Sequence, residues 1–377
     1  MVPPQKGPRV TGRPAVGAVV GTRPEVIKMS PVLRALRTRR IEPRLAVVEQ
    51  QEAILEAALE EARLTADVRV PVRSRSRVSA VVAGAVGPLE EWLAELRPEL
   101  LLVHGDTSSA LAGALAAFYQ KIPIGHVEAG LRTGDDRSPF PEEMHRALID
   151  RMASVLYAPT EDAAQALIAE GIPPGRVVVT GNPIVDAVAA ERGPRPEPLR
   201  RTIVATAHRR ESFGAPLRAI CHALADVLAA RSDIDLVYVL HPQPEAQRPA
   251  REILGGLPRV SLVPPMDHAA FLRLIGSAAL VVTDSGGIQE EAPQLGVPAI
   301  VLREHTERRE AVREGLAFLV GRDRATVVAA ILDTLGRCLP RDERQLFGAP
   351  GAAARIADDV LDRLERPISI PRSLSHP

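Results

Sequence analysis

Aromatic residues and cysteines are scarce in this 377-residue chain. Aromatic residues make up 3% of it, which disfavours nucleic-acid binding, because stacking platforms for bases are built from aromatic rings. The two cysteines, Cys221 and Cys338, lie far apart in sequence and offer neither a disulfide framework nor metal-ligand spacing. We therefore expect inert thiols in a reducing cytoplasm and no metal site.

An excess of one charge sign and a long apolar run are also missing. Lys plus Arg and Asp plus Glu each number 47, so no overall field attracts nucleic acid or an anionic membrane. No apolar run approaches the roughly 20 residues that a membrane helix requires. The N-terminus is rich in proline and lacks the apolar core of a signal peptide. These absences predict a cytoplasmic protein with no nucleic-acid partner and no membrane partner.

The chain is long enough for two domains, each with its own core. In both halves short β-branched strands alternate with helices of about 10 to 15 residues, which predicts an α/β fold with a parallel, doubly wound sheet in each half. We expect a disordered tail over 1–14, an N-terminal domain over 15–190, a linker over 191–201, a C-terminal domain over 202–350, a helix over 351–366 that packs back on the N-terminal domain, and a tail over 367–377.

The stretch TDSGGIQEE at 283–291 follows a buried apolar run and precedes a predicted helix. Gly286 and Gly287 have no Cβ, so the backbone can turn sharply and a ligand can approach the amide groups closely. Together with the helix N-terminus these amides suit a phosphate or pyrophosphate, and Ser285 adds a hydroxyl donor. The alternative is an ordinary glycine turn with an Asp or Ser helix cap.

Charged residues flank this turn and a second turn of the same layout. Glu290 and Glu291 lie in the first helical turn after the glycines, where one of them could accept hydrogen bonds from a sugar diol. The second turn, GTRPEVIK, follows the first strand and carries Arg23 and Lys28 near a helix start. Cations there oppose the helix dipole, so we expect them to pair with an anion; the alternative is two solvated surface cations.

Three carboxylates stand where a doubly wound sheet binds ligands. Asp106 and Glu128 follow directly after two predicted strands, and ligands of such sheets bind at the carboxyl ends of the strands. Glu142 begins a helix after the Pro- and Gly-containing loop 133–141. The plain alternatives are an N-cap role for Asp106, a solvated loop acid at Glu128, and a routine Pro-Glu-Glu helix start at Glu142.

An ordered set of motifs spans about residues 16 to 320: GTRPEVIKMSPV, HGDTSSALAGALAAFY, GHVEAGLRTGDDRSPFPEE, VTGNPIVDA, TAHRRESFG, TDSGGIQEEAPQLGVPAIVLR and TERRE. In order and spacing this set resembles the non-hydrolysing UDP-N-acetylglucosamine 2-epimerase family. The resemblance implies two Rossmann-like domains in the GT-B arrangement, with the active site in the cleft between them. It also implies a UDP-sugar substrate, no cofactor and a homodimer.

The resemblance further implies reversible C2 epimerisation of UDP-GlcNAc to UDP-ManNAc. The implied route is elimination of UDP to a 2-acetamidoglucal and re-addition on the other face. The departing diphosphate must then be stabilised, a base and an acid must serve opposite faces of C2, and the cleft must stay closed. Three acids near one sugar repel one another, so we expect a raised pKa for at least one of them.

Motif matching implies a role for each candidate residue. The catalytic candidates are Asp106, Glu128, Glu142 and His208. The substrate-binding candidates are Arg23, Lys28, Arg146, Phe271, Ser285, Gly286, Gly287, Glu291 and Arg308. Among these, Ser285 to Gly287 match the diphosphate loop, Glu291 the ribose contact and Phe271 the uracil pocket. The sequence does not assign acid and base among the three carboxylates.

The chain departs from the family pattern at several positions. His145 stands where many relatives carry Asn, and Arg309 where they carry Pro. The segment Gln50-Gln51-Glu52 replaces a GQHRE-like segment that helps some relatives to bind a second, activating UDP-GlcNAc. We expect that allosteric site not to survive in its usual form, or the substrate to be a different nucleotide sugar.

Three other functions remain open from the sequence. A hydrolysing relative would release free ManNAc and UDP, a GT-B glycosyltransferase would need an acceptor, and a sensor would bind without chemistry. The joint presence of Asp106, Glu128 and Glu142 disfavours the transferase, since a transferase needs no base for C2, and it disfavours the sensor.

Overall fold

The structure is a computed structural model that describes residues 15–49, 52–72, 79–192, 202–209, 212–337 and 345–365. Within these ranges the chain forms one seven-stranded and one six-stranded sheet. We call each sheet with its helices a lobe, N-terminal and C-terminal. The predicted tails and most of the predicted linker over 191–201 lie outside the described residues, so the domain boundaries stay predictions.

The N-terminal lobe is parallel throughout. Its strands are β1 Val16–Val20, β2 Pro43–Glu49, β3 Val68–Pro71, β4 Leu100–His104, β5 Ile124–Val127, β6 Val155–Ala158 and β7 Val177–Val179, in the order β3-β2-β1-β4-β5-β6-β7. Its helices are α1 Arg23–Thr38, α2 Glu52–Ala62, α3 Ser79–Leu96, α4 Ser108–Tyr119, α5 Glu142–Met152, α6 Glu161–Ala169 and α7 Pro183–Glu191. The central strands are apolar and buried along their whole length, as a parallel sheet covered on both faces requires.

The C-terminal lobe repeats this design. Its strands are β8 Thr202–Thr206, β9 Asp235–Val239, β10 Val260–Val263, β11 Leu280–Thr283, β12 Ala299–Val301 and β13 Ala317–Leu319, in the order β10-β9-β8-β11-β12-β13. Its helices are α8 Ala215–Ala230, α9 Pro244–Leu254, α10 His268–Ser277, α11 Ile288–Gln294, α12 Arg309–Arg313 and α13 Arg324–Gly336. The strand order reverses beside β8, as it does beside β1 in the other sheet, and ligands of such sheets bind at these switch points.

The last described helix, α14 Ala352–Glu365, packs on the N-terminal lobe. Ile356 joins the core formed by β1 and α1. Arg39 at the end of α1 pairs with Asp358 at 2.6 Å, and the Tyr157 hydroxyl donates to Asp359 at 2.9 Å. The chain therefore returns to its first lobe after completing the second.

The two lobes contact each other through apolar residues of α7, which share a buried core with β8, α10 and β11, and through charged side chains that follow strands of both sheets. The predicted α/β fold of two Rossmann-like domains in the GT-B arrangement is confirmed. No helix among the described residues is long and apolar enough to cross a membrane.

Candidate active site

The glycine turn between β11 and α11 has no side-chain cap among the described residues; its N-cap position is Gly287. The alternative of an Asp or Ser cap is therefore wrong. Asp284 is fully buried and accepts hydrogen bonds from the backbone amides of His208 and Arg209, each at 3.0 Å, and from the Ser212 hydroxyl at 2.8 Å. This carboxylate ties the segment after β8 to the segment after β11 and leaves the helix start uncapped.

His208 lies at the edge of the cleft beside this turn. Its side chain is 31% exposed, and its Nδ1 is 3.8 Å from Asp284 Oδ1. Its ring stacks on that of His241, with centroids 5.0 Å apart. Burial, and then the neighbouring His208, lower the pKa of His241 to about 4. His241 is therefore neutral at pH 7 and adds no charge beside His208.

Arg308 brings a buried cation against the glycine turn. A Cβ placed on Gly286 would lie 3.1 Å from a terminal nitrogen of Arg308, so the guanidinium packs directly on the turn. Arg308 Nε donates to Glu290 Oε1 at 2.8 Å, and the guanidinium also pairs with Glu307. A fixed positive charge thus stands next to the amides that the sequence predicts for a diphosphate.

Residues of both lobes meet in one buried group, which we call the interlobe cluster: Lys28, Glu128, Asn182, Glu290 and Arg308. Lys28 Nζ pairs with Glu128 and lies 2.7 Å from Glu290 Oε2. Asn182 Nδ2 donates to Glu128 at 2.8 Å and to Glu290 at 3.3 Å. Arg308 lies 3.7 Å from Glu128. Two cations and one amide therefore hold two carboxylates from opposite lobes together.

The pKa of Glu128 moves against the expectation from mutual repulsion. Burial raises this pKa, but Lys28, His104 and Arg308 outweigh burial and hold it well below the usual range. Glu128 is therefore ionised and is not the acid whose pKa repulsion raises. Within the cluster the pKa of Glu290 is raised: burial dominates, Arg308 and Lys28 oppose it, and Glu128 adds to it. Glu290 is not one of the three acids for which we expected a raised pKa, so that expectation stays a prediction for Asp106 and Glu142.

A second ion pair lies beside the cluster. Arg146, which is 2% exposed, pairs with Asp106 and donates to Glu143 at 2.9 Å. His145 Nδ1 lies 3.1 Å from the backbone oxygen of Asp106. This His, which departs from the family pattern, therefore contacts the same loop. The N-cap of α4 is Thr107 and not Asp106, so the N-cap alternative for Asp106 is wrong.

Glu143 attaches α5 to the preceding loop, and Glu142 lies beside it at the helix start. Glu142 is the half-buried first residue of α5, one helical turn before Arg146 and hence on the same helix face. Glu143 accepts hydrogen bonds from the amides of Thr133 at 2.8 Å and Gly134 at 3.1 Å. The helix start therefore carries Glu142 on the face that also holds Arg146.

The remaining candidates gather around α10. Phe271 is half-buried on this helix. Glu291 Oε1 lies 2.9 Å from His268 Nε2 at the helix start. Arg23 of the N-terminal lobe donates to the backbone oxygen of Met266 at 3.0 Å, directly before α10. The structure thus brings Arg23, Phe271 and Glu291 to one region of the cleft.

Several site residues had no role in the sequence analysis. Asn182 lies in a quoted motif just past β7, at the carboxyl edge of the sheet, which was the available signal. Glu307 pairs with Arg308 and lies 3.2 Å from Arg303; the burial of Glu307 is outweighed by these arginines, which lower its pKa. Gln50 and Gln51 lie outside the described residues, so the expectation about the allosteric segment stays a prediction.

The two doubly wound lobes define a GT-B protein with a charged site between the lobes. In this site an arginine packs on an uncapped glycine turn, and carboxylates face the turn across the cleft. The particular family follows from comparison with known proteins. The sequence profile of the UDP-N-acetylglucosamine 2-epimerase family matches residues 34–361, and the chain belongs to this family.

Individual relatives are similar to this chain over most of its length. The UDP-N-acetylglucosamine 2-epimerase of Salmonella typhimurium is 41% identical over 335 residues, covering 84% of this chain and 89% of that protein. The S. aureus protein MnaA, solved with UDP, superposes with a TM-score of 0.89 at 34% identity, covering 94% and 97%. The UDP-GlcNAc 2-epimerase of Neisseria meningitidis, solved with UDP-GlcNAc, gives a TM-score of 0.86 at 32% identity, covering 92% and 100%.

Proposed function

We propose that the protein interconverts UDP-GlcNAc and UDP-ManNAc by non-hydrolysing C2 epimerisation. The observation that carries the proposal is the interlobe cluster, in which Lys28 and Glu128 meet Glu290 and Arg308 beside the Gly286 turn. Family membership supports the substrate class, since relatives of this fold are named UDP-GlcNAc 2-epimerases and one is solved with UDP-GlcNAc.

The first step is elimination. The C1–O bond breaks and its electron pair leaves with UDP, while a carboxylate takes the C2 proton and the C1=C2 bond of a 2-acetamidoglucal forms. No carbonyl acidifies the C2 proton, so departure of UDP must be strongly assisted. Arg308 and the amides of Gly286 and Gly287 supply positive charge where the diphosphate gains negative charge, and Arg23 adds to it from the other lobe. The Ser285 amide donates to the Thr283 hydroxyl at 3.0 Å, so Ser285 contributes its hydroxyl group.

The second step is re-addition. A diphosphate oxygen attacks C1 of the glucal while an acid delivers a proton to C2 on the opposite face, which gives the epimer. Lys28, His104 and Arg308 keep Glu128 ionised, so it is able to accept a proton, but the same charges make it a weaker base than an ordinary carboxylate. Asp106 and Glu142 lie on other elements of the same lobe and are the candidates for the opposite face, with Arg146 fixing Asp106. His208 lies in the C-terminal lobe, and its proposed role is to contact the diphosphate or the leaving oxygen.

Retention of the glucal separates epimerisation from hydrolysis. Contacts between the lobes outside the cluster favour retention: Arg309 donates to the Thr133 backbone oxygen at 3.0 Å, and the Thr160 hydroxyl donates to Glu310 at 2.7 Å. Closed lobes keep UDP and the glucal together and exclude water.

Incubation with UDP-GlcNAc in D₂O, without an acceptor, tests the proposal by NMR of the sugar. We expect deuterium at C2 and a new epimer still linked to UDP. Free ManNAc would replace the proposal with hydrolysis. An unchanged spectrum would contradict epimerisation of this substrate altogether.

We also propose a homodimer formed by α4 and α5. Phe118 and Tyr119 on α4 are 55% and 60% exposed, and Met144 and Leu148 on α5 are 40% and 46% exposed. The two helices pack side by side, so these side chains offer one apolar face that a second copy would cover. Light scattering should give about twice the 40.5 kDa of one chain, and Tyr119→Glu should reduce that mass. A single-chain mass for the wild type would contradict the dimer.

A further inference from the structure

His268 stands between two carboxylates from different parts of the molecule. It is the first residue of α10 and is 3% exposed. Its Nδ1 lies 2.6 Å from Glu191 Oε2, at the end of α7, and its Nε2 lies 2.9 Å from Glu291 Oε1, in the first turn of α11. Its backbone amide donates to Glu61 of α2 at 3.2 Å. One buried ring therefore joins the last turn of α7 to the acid beside the glycine turn.

The chemistry of this arrangement requires a doubly protonated ring. A carboxylate can only accept a hydrogen bond, so both ring nitrogens must donate. Burial alone lowers the pKa of an imidazole, but the hydrogen bonds and charges of Glu191 and Glu291 outweigh it and raise the pKa of His268 to about 9. Glu191 and Glu291 contact the ring nitrogens, while Glu61 accepts from the His268 backbone amide and Asp267 caps the helix; all four are acidic groups.

Two residues that the sequence predicts to contact the nucleoside lie near His268, Phe271 on the same helix and Glu291 on α11. Phe271 lies three residues after His268, hence on the same side of α10. The Glu291 carboxylate lies 3.9 Å from the position of a Cβ on Gly287, so it sits directly over the glycine turn. Without a cation between them, Glu191 and Glu291 would face one buried space as like charges.

We propose that His268 is a positioning residue that fixes Glu291, through its Oε1, so that the carboxylate accepts hydrogen bonds from the ribose hydroxyls of UDP. The inference rests on the proposed function, because it takes UDP as the nucleotide of the substrate. The inference has a specific consequence: His268 affects recognition of the ribose diol and does not affect binding of uracil or of the diphosphate.

The test compares UDP with 2′,3′-dideoxy-UDP by titration calorimetry on the full-length chain. The wild type should bind UDP more tightly than the dideoxy nucleotide. In His268→Gln this preference should shrink about tenfold, the scale of one charge-assisted hydrogen bond, and approach that of Glu291→Gln. Affinity for the dideoxy nucleotide should stay within about twofold. His222→Gln, the same substitution on α8, should keep the wild-type preference.

The contradicting outcomes are distinguishable. Loss of affinity for both nucleotides to the same extent in His268→Gln would assign a merely structural role to His268. An unchanged preference in that variant, with a lost preference in Glu291→Gln, would overturn the inference alone. An unchanged preference in Glu291→Gln would remove Glu291 from the ribose, and failure of the wild type to bind UDP would overturn the proposed function itself.

A pH series on the wild type tests the same inference without any substitution. The preference for UDP over the dideoxy nucleotide should hold below pH 9 and fall as the pH rises through about 9, where His268 loses a proton. Both nucleotides carry the same uracil, so ionisation of the base cancels from their ratio. A ratio that stays constant to about pH 10 would contradict the inference.

Discussion

The turn between β1 and α1 and the turn between β11 and α11 share one local design, but they are filled in opposite ways. In the first, Glu25 of the helix itself accepts hydrogen bonds from the Gly21 amide at 3.0 Å and the Thr22 hydroxyl at 2.8 Å. In the second, Asp284 turns away towards the amide of His208, and the described residues supply no side-chain cap. The first turn is filled by a carboxyl group of its own helix. In the second turn the Ser285 amide donates to the Thr283 hydroxyl at 3.0 Å, and we propose that the Gly286 and Gly287 amides bind an anion from outside.

This difference indicates that the two turns have different roles in their lobes. Glu25 also accepts from the Thr107 hydroxyl at 2.8 Å, so it fixes the first turn to the loop that carries Asp106. The N-terminal turn therefore supports the loop that carries Asp106, a candidate catalytic acid. The C-terminal turn, backed by Arg308, keeps positive charge available for a diphosphate. A strand, a glycine turn and a helix do not by themselves form an anion site. Whether the turn binds an anion depends on which groups already accept hydrogen bonds from its amides.

The largest effect is expected for a substitution that removes a candidate catalytic group of the N-terminal lobe and leaves nucleotide binding by the C-terminal lobe intact. Asp106→Asn keeps the size of the side chain and leaves the C-terminal turn untouched. C2 exchange in D₂O should fall about 1000-fold, within the range of lost acid–base catalysis, while UDP affinity changes less than about twofold. NMR and calorimetry give the two quantities, and exchange at the wild-type rate would remove Asp106 from the mechanism.

Gly21→Ala tests the rigid role of the N-terminal turn. The new Cβ would lie 2.7 Å from Ser109 Cβ and 2.9 Å from the Val48 backbone oxygen. Backbone atoms cannot give way easily, so the free energy of unfolding should fall by about 3 kcal/mol. Denaturant titration measures it. Gly84→Ala on α3, where a Cβ meets nothing within 4 Å, is the matched control and should lose no stability.

Glu25→Gln tests whether the carboxyl that fills this turn titrates. Burial, only partly opposed by hydrogen bonds, raises the pKa of Glu25 to about 7 from 4.5. The folded state then holds this proton more tightly than the unfolded state, so wild-type stability should decrease as the pH rises from about 4.5 through about 7, by at most about 3 kcal/mol. The variant should lack this decrease. Parallel stability curves for the two proteins would contradict the raised pKa.

Gly286→Ala should give the smallest effect, and it should lower UDP affinity where Gly21→Ala lowers stability. Its Cβ would meet only the end of the Arg308 side chain, at 3.1 Å, and a shift of a few tenths of an ångström relieves this contact. Stability should hardly change, whereas UDP affinity should fall about tenfold, roughly the loss of one charged contact. Gly287→Ala, whose Cβ lies 3.9 Å from its nearest neighbour, should lose less. A stability loss as large as that of Gly21→Ala would erase the distinction between the turns.

Local signals predicted the fold well. Apolar β-branched runs, glycine turns and helix starts lie within a few residues of each other, so the alternation of strands and helices is readable from the chain. Asp106, Glu128 and the 285–287 turn follow from the same signals together with the motifs. Their roles as site residues stay predictions until a ligand is bound.

The electrostatics of the site could not be predicted, because the partners are distant in sequence. Glu25 and Thr107 are separated by 82 residues, Asn182 and Glu128 by 54, and Lys28 and Glu128 by 100. The family resemblance implies that three acids lie near one sugar, which predicts repulsion between them. It does not show that Lys28 and Arg308 reach Glu128 from two lobes and reverse the direction of the shift in its pKa.

A crystal structure of the complex with UDP tests the contrast between the turns most directly. We predict diphosphate oxygens within about 3 Å of the backbone amides of Gly286 and Gly287, with the Ser285 amide still bound to the Thr283 hydroxyl and Glu25 still bound to the Gly21 amide. A diphosphate on the turn after β1, with Glu25 displaced from Gly21, would contradict the account.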